Sequence, residues 1–229
     1  MTFLRAVGWD NGQMTALTAR ALLFDMDGTL VNSHAVVERI WGTFADMFEL
    51  DVAEVLRTSH GVRMVETVRQ HAPAGTDAEE VTSRLGVIEL ADTEGIVEVP
   101  GAAAFVRGLP VASVALVTSA TLPLAQSRME SIGLDMPVAV VTAEDVAHGK
   151  PRPDCYLLAA ERLGVRPEDA IVFEDAEAGI RAGLSAGMRV VVVGEWESET
   201  TVGLPRIADY TELSARVVGD LVYLDWQFS

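Results

Sequence analysis

Asp25 and Asp27 stand two residues apart at the end of the apolar run Ala21-Leu22-Leu23-Phe24, and Gly28 and Thr29 follow them. Two acids so placed can divide labour. One can attack a phosphorus or carbon centre as a nucleophile, while the other moves a proton to the leaving group. Together they suit a hard cation, because Mg²⁺ takes one or two carboxylates plus substrate oxygens and water. Taken alone, residues 25–29 fit a strand ending in a polar turn equally well, since Asp and Gly are ordinary turn residues. The decision lies in what the rest of the chain sets beside them.

Three later stretches carry matching parts. Thr118 and Ser119 end an apolar run before a helix, where hydroxyls and free helix N–H groups can face one anion; by themselves they fit plain N-capping. Lys150 precedes Pro151, which disfavours helical backbone at the lysine. A lysine in that loop can neutralise a phosphoryl group as a point charge, or it is a surface lysine in a Pro-rich turn. Glu174 and Asp175 end a fourth apolar run. Four acids gathered at one sheet edge would repel one another unless a cation or protons intervened.

These residues need a scaffold that brings strand ends together. The apolar run at 21–24 has the length and composition of a strand buried on both faces. Strands are expected at residues 114–118, 138–141, 170–173 and 189–193, with a short one at 206–208. Helices are expected between them at 122–132, 153–163 and 176–186. That alternation predicts a doubly wound parallel α/β sheet, which places ligands at the C-terminal ends of its strands. Residues 32–97 differ. Val36, Val37, Ile40, Trp41, Phe44 and Phe48 recur at helical spacing, and more helical stretches follow at 52–57, 64–71 and 78–93. The expected organisation is therefore an α/β core of residues 1–31 and 98–229, with a small helical cap, residues 32–97, inserted after the first strand. Gly179, Gly183 and Gly187 fall four apart and are expected to let one helix pack closely on the sheet. Residues 1–20 show little periodicity and read as a loose extension, with Met14 as an alternative start. The apolar end, residues 221–228, suggests no function.

The chain has 229 residues and is 49% hydrophobic, enough for a sizeable core. Its formal net charge is 17 − 34 = −17, which excludes nucleic acid and anionic membrane as partners through the general field. An anionic substrate then needs a local positive site. One cysteine, Cys155, permits no internal disulfide and is expected to be a small core residue in a reducing cytoplasm. No membrane span or secretory signal is expected.

The four stretches occur in order, each at a strand end. From residue 21 to about 193 the chain resembles the haloacid dehalogenase-like hydrolase superfamily, on Asp25-Met26-Asp27-Gly28-Thr29, Thr118-Ser119, Lys150 before Pro151, and Glu174-Asp175. The resemblance implies that Asp25 takes the phosphoryl group as an aspartyl phosphate. It implies that Asp27 protonates the leaving oxygen and later activates water. Thr118 or Ser119, with Lys150, would bind phosphate oxygens. Mg²⁺ would be held by Asp25, the backbone carbonyl of Asp27 and Asp175, with Glu174 beside them. Asp27 favours phosphate over halide chemistry, because a departing halide needs no proton. Thr29 differs from the bulkier aliphatic usual in β-phosphoglucomutases, and the mutase's acid/base histidine falls on Val37. Residues 58–63 and the Thr-Ser pair are similar to 2-deoxyglucose-6-phosphate and glycerol phosphatases, with His60 and Arg63 as candidate substrate contacts in the cap. His34, His71 and His148 are expected to be structural or exposed. The implied protein is a monomer or weak homodimer acting on a small phosphorylated metabolite. A phosphosugar mutase and a non-catalytic binding protein on the same scaffold are the rivals.

Overall fold

The computed structural model describes residues 15–226. β1 (Thr15–Ala19) passes through Arg20 into β2 (Ala21–Phe24). β3 (Val31–Asn32) pairs antiparallel with β4 (Val97–Glu98), and four helices lie between them: α1 (His34–Phe48), α2 (Val52–Ser59), α3 (Met64–His71) and α4 (Ala78–Ala91). The chain then alternates α5 (Ala102–Arg107), β5 (Val114–Val117), α6 (Leu122–Ser131), β6 (Ala139–Val141), α7 (Asp154–Leu163), β7 (Ala170–Glu174), α8 (Glu177–Ser185), β8 (Arg189–Val193) and β9 (Arg206–Ile207). It ends in β10 (Ser214–Val218) and β11 (Leu221–Trp226). Among the described residues, no helix is long and apolar enough to cross a membrane.

The main sheet has the order β6-β5-β2-β7-β8-β9, and all its pairings are parallel. The chain winds outward from β2 to β6, then returns to β7 on the other side. This is the doubly wound sheet expected from the alternation, and the reversal at β2 marks the edge where such sheets bind ligands. Every residue of β2 is fully buried, as a strand covered on both faces requires. Its side chains alternate between two cores. Leu22 and Phe24 join Leu116, Ile171, Phe173 and Met129 on one face; Ala21 and Leu23 join Val117, Val172, Tyr156 and Ile180 on the other. The rings of Phe24 and Phe173 stack with centroids 4.8 Å apart.

Helices α1–α4 have a core of their own. Val36, Ile40, Trp41 and Phe44 of α1 line one stripe and pack on Val55, Val68, Val81 and Leu85. Asp51 and Asp77 cap the N-termini of α2 and α4 through their side chains.

The two ends of the chain correct the sequence reading. Residues 15–19 are a strand rather than a loose extension: β1 pairs antiparallel with β11, Leu17 opposite Leu224. β10 pairs with the other side of β11, and the resulting sheet order is β1-β11-β10. Val222, Leu224 and Trp226 pack into the same core as Leu22 and Phe24. The apolar end is therefore part of the scaffold. Thr-Ala-Leu-Thr-Ala has too little hydrophobic alternation to announce a strand, and its partner lies at the far end of the chain. Met14 as a start lies outside the described residues, as do residues 227–228. Leu224 has no exposed surface, so Leu224→Ala is expected to cost about 2–5 kcal/mol. Urea unfolding checks this; a loss below about 1 kcal/mol would show the small sheet to be dispensable.

Candidate active site

The parallel ladders deliver five of the expected residues to one edge. Asp25 follows β2 directly and its N–H still bonds to the carbonyl of Phe173, at 3.1 Å. Thr118 follows β5, Glu174 closes β7 and Asp175 comes next. Lys150 arrives from the loop after β6. Its peptide bond to Pro151 is cis.

Lys150 is only 1% exposed. Its Nζ donates to Asp25 Oδ1 at 2.5 Å, to Glu174 Oε1 at 2.7 Å and to the Val117 carbonyl at 3.1 Å. These three acceptors satisfy the three donors of an ammonium. Burial works against its charge, but Asp25 and Glu174 hold the ammonium above its ordinary value. Glu174 is equally occupied. Oε1 accepts from Lys150 and from the Tyr156 hydroxyl at 2.9 Å, while Oε2 accepts from the N–H groups of Asp175 and Ala176 at 3.0 and 3.2 Å. Four donors use the roughly four lone-pair sites of a carboxylate. Gly179 makes room for this group: a Cβ there would lie 1.6 Å from Glu174 Oε1. Gly183 meets Val190 and Val172 as expected for close packing, whereas Gly187 lies past the end of α8 with φ +76° and serves the turn.

Carboxylate oxygens of Asp25, Glu174 and Asp175 lie within 4.8 Å of one another. Burial pushes the Asp25 carboxyl up to about 7 against the pull of Lys150, and Glu174 adds to the rise. Asp175 is driven well above its ordinary value by burial, then by Glu174 and Asp25. With all three carboxyls ionised, one ammonium would leave 3 − 1 = 2 negative charges in excess. A divalent cation would relieve that excess, and an all-oxygen donor set suits a hard one. Asp175 is oriented by the Thr29 hydroxyl at 3.1 Å. Gly28, at φ +84°, leaves it space; a Cβ there would fall 2.0 Å from Asp175 Oδ2.

A cavity of about 490 Å³ opens above these acids, between the strand ends and α1–α4. Asp25, Asp27, Thr118, Ser119 and Asp175 reach it from the sheet; His60 and Arg63 border it from the helical side. Thr118 Oγ1 accepts from the Ala120 N–H at 3.0 Å. The Ser119 hydroxyl donates to the Gly61 carbonyl at 2.8 Å, joining the sheet edge to the α2–α3 loop. Arg63 does not point freely at a ligand: its guanidinium bonds Glu66 and the carbonyls of Val146 and Ala147, the last two at 3.2 Å. His60 sits exposed at the cavity mouth, where its packing and then His34 hold the ring below its ordinary value. His34, exposed as expected, stands against it with ring centroids 6.1 Å apart. His71 bonds Thr58 and His148 bonds Asp154, away from the acids. Cys155 is buried and burial pushes its thiol up to about 11, so it is a core residue as expected.

Asp27 has partners that spacing could not show. Its Oδ1 accepts from the Ser33 hydroxyl at 2.7 Å and from Nη1 of the buried Arg128 on α6. Arg128 Nη2 also donates to Glu89 of α4 at 2.5 Å. Arg128, Glu89 and Tyr156 are the functional neighbours that sequence reasoning missed. Each sits in a helix with an unremarkable pattern, and only the fold makes them adjacent.

A family model described as haloacid dehalogenase-like hydrolase matches residues 19–187. The chain belongs to that family. Among curated relatives, hexitol phosphatase A of Escherichia coli (strain K12) is 42% identical over 182 residues, covering 77% of this chain and 84% of the relative. Glycerol-1-phosphate phosphohydrolase 2 of Saccharomyces cerevisiae is 35% identical over 187 residues, covering 77% and 75%. Among solved structures, CbbY from Rhodobacter sphaeroides in complex with phosphate is similar, with TM-score 0.72 and 26% identity over 85% of this chain and 96% of that one. The protein is a phosphatase of the haloacid dehalogenase-like family, as its phosphatase relatives and the family match show.

The raised Asp25 carboxyl has a consequence for the metal-free enzyme. Its folded value of about 7 lies above the ordinary 3.8. Between these values the folded state keeps a proton that the unfolded chain has lost, so this group lowers stability as pH rises through the window. Above about pH 7 the penalty is complete. Asp25→Asn removes it. The variant loses a charge partner of Lys150 at every pH, so the expected signature is the pH dependence of the difference. In EDTA its melting temperature should rise relative to wild type between pH 5 and pH 8, by about 2–4 °C for each kcal/mol relieved. Thermal melts across that range check this, and a gap independent of pH would mean that Asp25 ionises at an ordinary value.

Proposed function

We propose that the protein is a Mg²⁺-dependent phosphatase of a small sugar or polyol phosphate that works through an aspartyl phosphate on Asp25. The observation that carries this reading is the buried Lys150 bridging Glu174 and Asp25, the latter lining the cavity together with Asp27. Phosphoryl transfer needs positioning and charge stabilisation above all, and this site supplies both.

Lys150 holds Asp25 Oδ1, which leaves Oδ2 to attack phosphorus in line with the leaving oxygen. As the P–O bond to the leaving group breaks, Asp27 gives its proton to that oxygen and an alcohol departs. Asp27, now ionised, takes a proton from water; the hydroxyl oxygen bonds to phosphorus, the Asp25–phosphoryl bond breaks, and phosphate leaves. Lys150 offsets charge on Asp25 throughout, and Thr118 offers a hydroxyl to the phosphoryl oxygens. Asp25, Asp175 and the Asp27 backbone carbonyl are the groups that would hold Mg²⁺, which when bound neutralises phosphoryl oxygens. Glu174 stands behind them, with its acceptor sites spent on Lys150, Tyr156 and backbone N–H groups.

The substrate class rests on the cavity and on the relatives. About 490 Å³ suits a small metabolite. Ser33, His34, His60 and Ser119 border it with groups that bond hydroxyls, while Ile40, Trp41, Val65 and Leu124 offer an apolar wall for C–H faces. The curated relatives are named for hexitol and glycerol phosphates. Val37, where a mutase would carry its acid/base histidine, also lines the cavity and transfers no proton.

The test is phosphate release from a panel of hexitol, hexose, glycerol and nucleoside monophosphates, with Mg²⁺ and with EDTA. Release confined to sugar or polyol phosphates, abolished by EDTA and lowered on the order of 10³-fold or more in Asp25→Asn, is expected. Undiminished turnover in the folded variant would rule out Asp25 as the nucleophile. Phosphate migrating within the sugar, seen by NMR, would instead establish a mutase.

A further inference from the structure

Arg128 is 2% exposed, yet it lies 101 residues from Asp27 and 39 from Glu89 along the chain. Its Nη1 donates to the Oδ1 of Asp27, on the sheet side, and its Nη2 donates to Glu89 Oε1 at 2.5 Å, on the helical side. One planar guanidinium therefore ties the proton-transferring carboxylate to α4. Other contacts cross the same boundary: Ser119 to Gly61, and Arg63 to the carbonyls of Val146 and Ala147. Of these, the Arg128 bridge is the one that touches Asp27. Stability alone is a weak reason for it. A buried ion triad is often no better than well-packed apolar groups of the same volume, and Arg128 Nε has no hydrogen-bond partner among the described residues.

We propose that Arg128 is the positioning residue for Asp27, and that Glu89 makes this positioning depend on α4 being seated over the site. The inference rests on the phosphatase reading above. Two donors, Arg128 and the Ser33 hydroxyl, converge on Asp27 Oδ1. That fixes the carboxylate plane and leaves Oδ2 to face the leaving oxygen. The arginine fork in turn needs its second anchor. With Glu89 in place, both N–H donors lie in one plane against two carboxylates. If α4 moved away, Arg128 would keep one anchor and could swing about it, carrying Asp27 out of line. A lysine places a single ammonium and cannot hold two carboxylates in one plane.

The test uses two phosphate esters that differ in their need for a proton. Glycerol phosphate leaves as a poor alkoxide and needs Asp27, whereas nitrophenyl phosphate leaves as a stable anion without help. Leaving-group release is followed in a single turnover, with Mg²⁺ and enzyme in excess. Arg128→Ala is expected to slow release from glycerol phosphate about 10²-fold, within the range of general acid catalysis, and from nitrophenyl phosphate less than about 5-fold. Arg128→Lys, which keeps a buried cation should the alanine variant not fold, is expected to show the same bias with a loss of about 10-fold. Glu89→Ala should lie between wild type and Arg128→Ala with that bias. In the Asp27→Asn background, Arg128→Ala should add less than about 2-fold, because residues acting as a unit are not additive. Equal losses for both esters, or a full loss in the Asp27→Asn background, would overturn the positioning role alone. An unbiased Glu89→Ala would remove α4 from it. A wild-type protein that released neither leaving group would overturn the phosphatase reading, and the role with it.

Discussion

A lysine buried among carboxylates at the C-terminal edge of the sheet is the interaction on which the rest of this structure depends. An ammonium taken out of water is costly unless its donors are all used and its charge is matched. Lys150 meets both conditions only because three strands end at one level: β2 brings Asp25, β5 the Val117 carbonyl, β7 Glu174. Glu174 must then be held so that it faces the lysine. Tyr156 and two backbone N–H groups do so, and a helix without a side chain at position 179 makes the space. Tyr156 belongs to the second core, on the α7 and α8 face, so that core and the buried ion pair are built together.

That arrangement leaves negative charge unspent. Asp25 and Asp175 are both pushed toward protonation, first by burial and then by the acids around them. The site is therefore poised to favour whatever cation brings these carboxyls to the ionised state. Such poising is a common trait of functional sites. The cost in stability is carried by the scaffold, to which the small sheet of β1, β11 and β10 adds a further covering layer over Leu22 and Phe24.

The helices inserted between β3 and β4 do more than cover the cavity. They touch the sheet edge through hydrogen bonds whose partners are themselves site residues: Gly61 takes the Ser119 hydroxyl, and Glu89 shares Arg128 with Asp27. Excluding water strengthens the charge interactions beneath. The same contacts couple what the helices do to where the acids point.

Much of this was legible in the chain. Apolar runs of strand length, each ending in a residue able to do chemistry, implied a parallel sheet and a site at its edge, because the strand period and the topology of such sheets leave few other outcomes. Asp25, Asp27, Thr118, Lys150, Glu174 and Asp175 follow from that logic, as does the helical character of residues 32–97. The partners of those residues do not. Arg128, Glu89 and Tyr156 lie on helices whose sequence period sets which face is buried but not what lies opposite. Thr15–Ala19 is too weakly patterned to be read as a strand without β11 at the other end of the chain. Local sequence determined the elements and the identity of the candidate site residues, since propensity, period and turn chemistry act over a few residues. Only the tertiary structure decided which carboxylate each cation serves, because ion pairs and hydrogen bonds are settled by distance in space, and here that distance joins residues up to 125 positions apart.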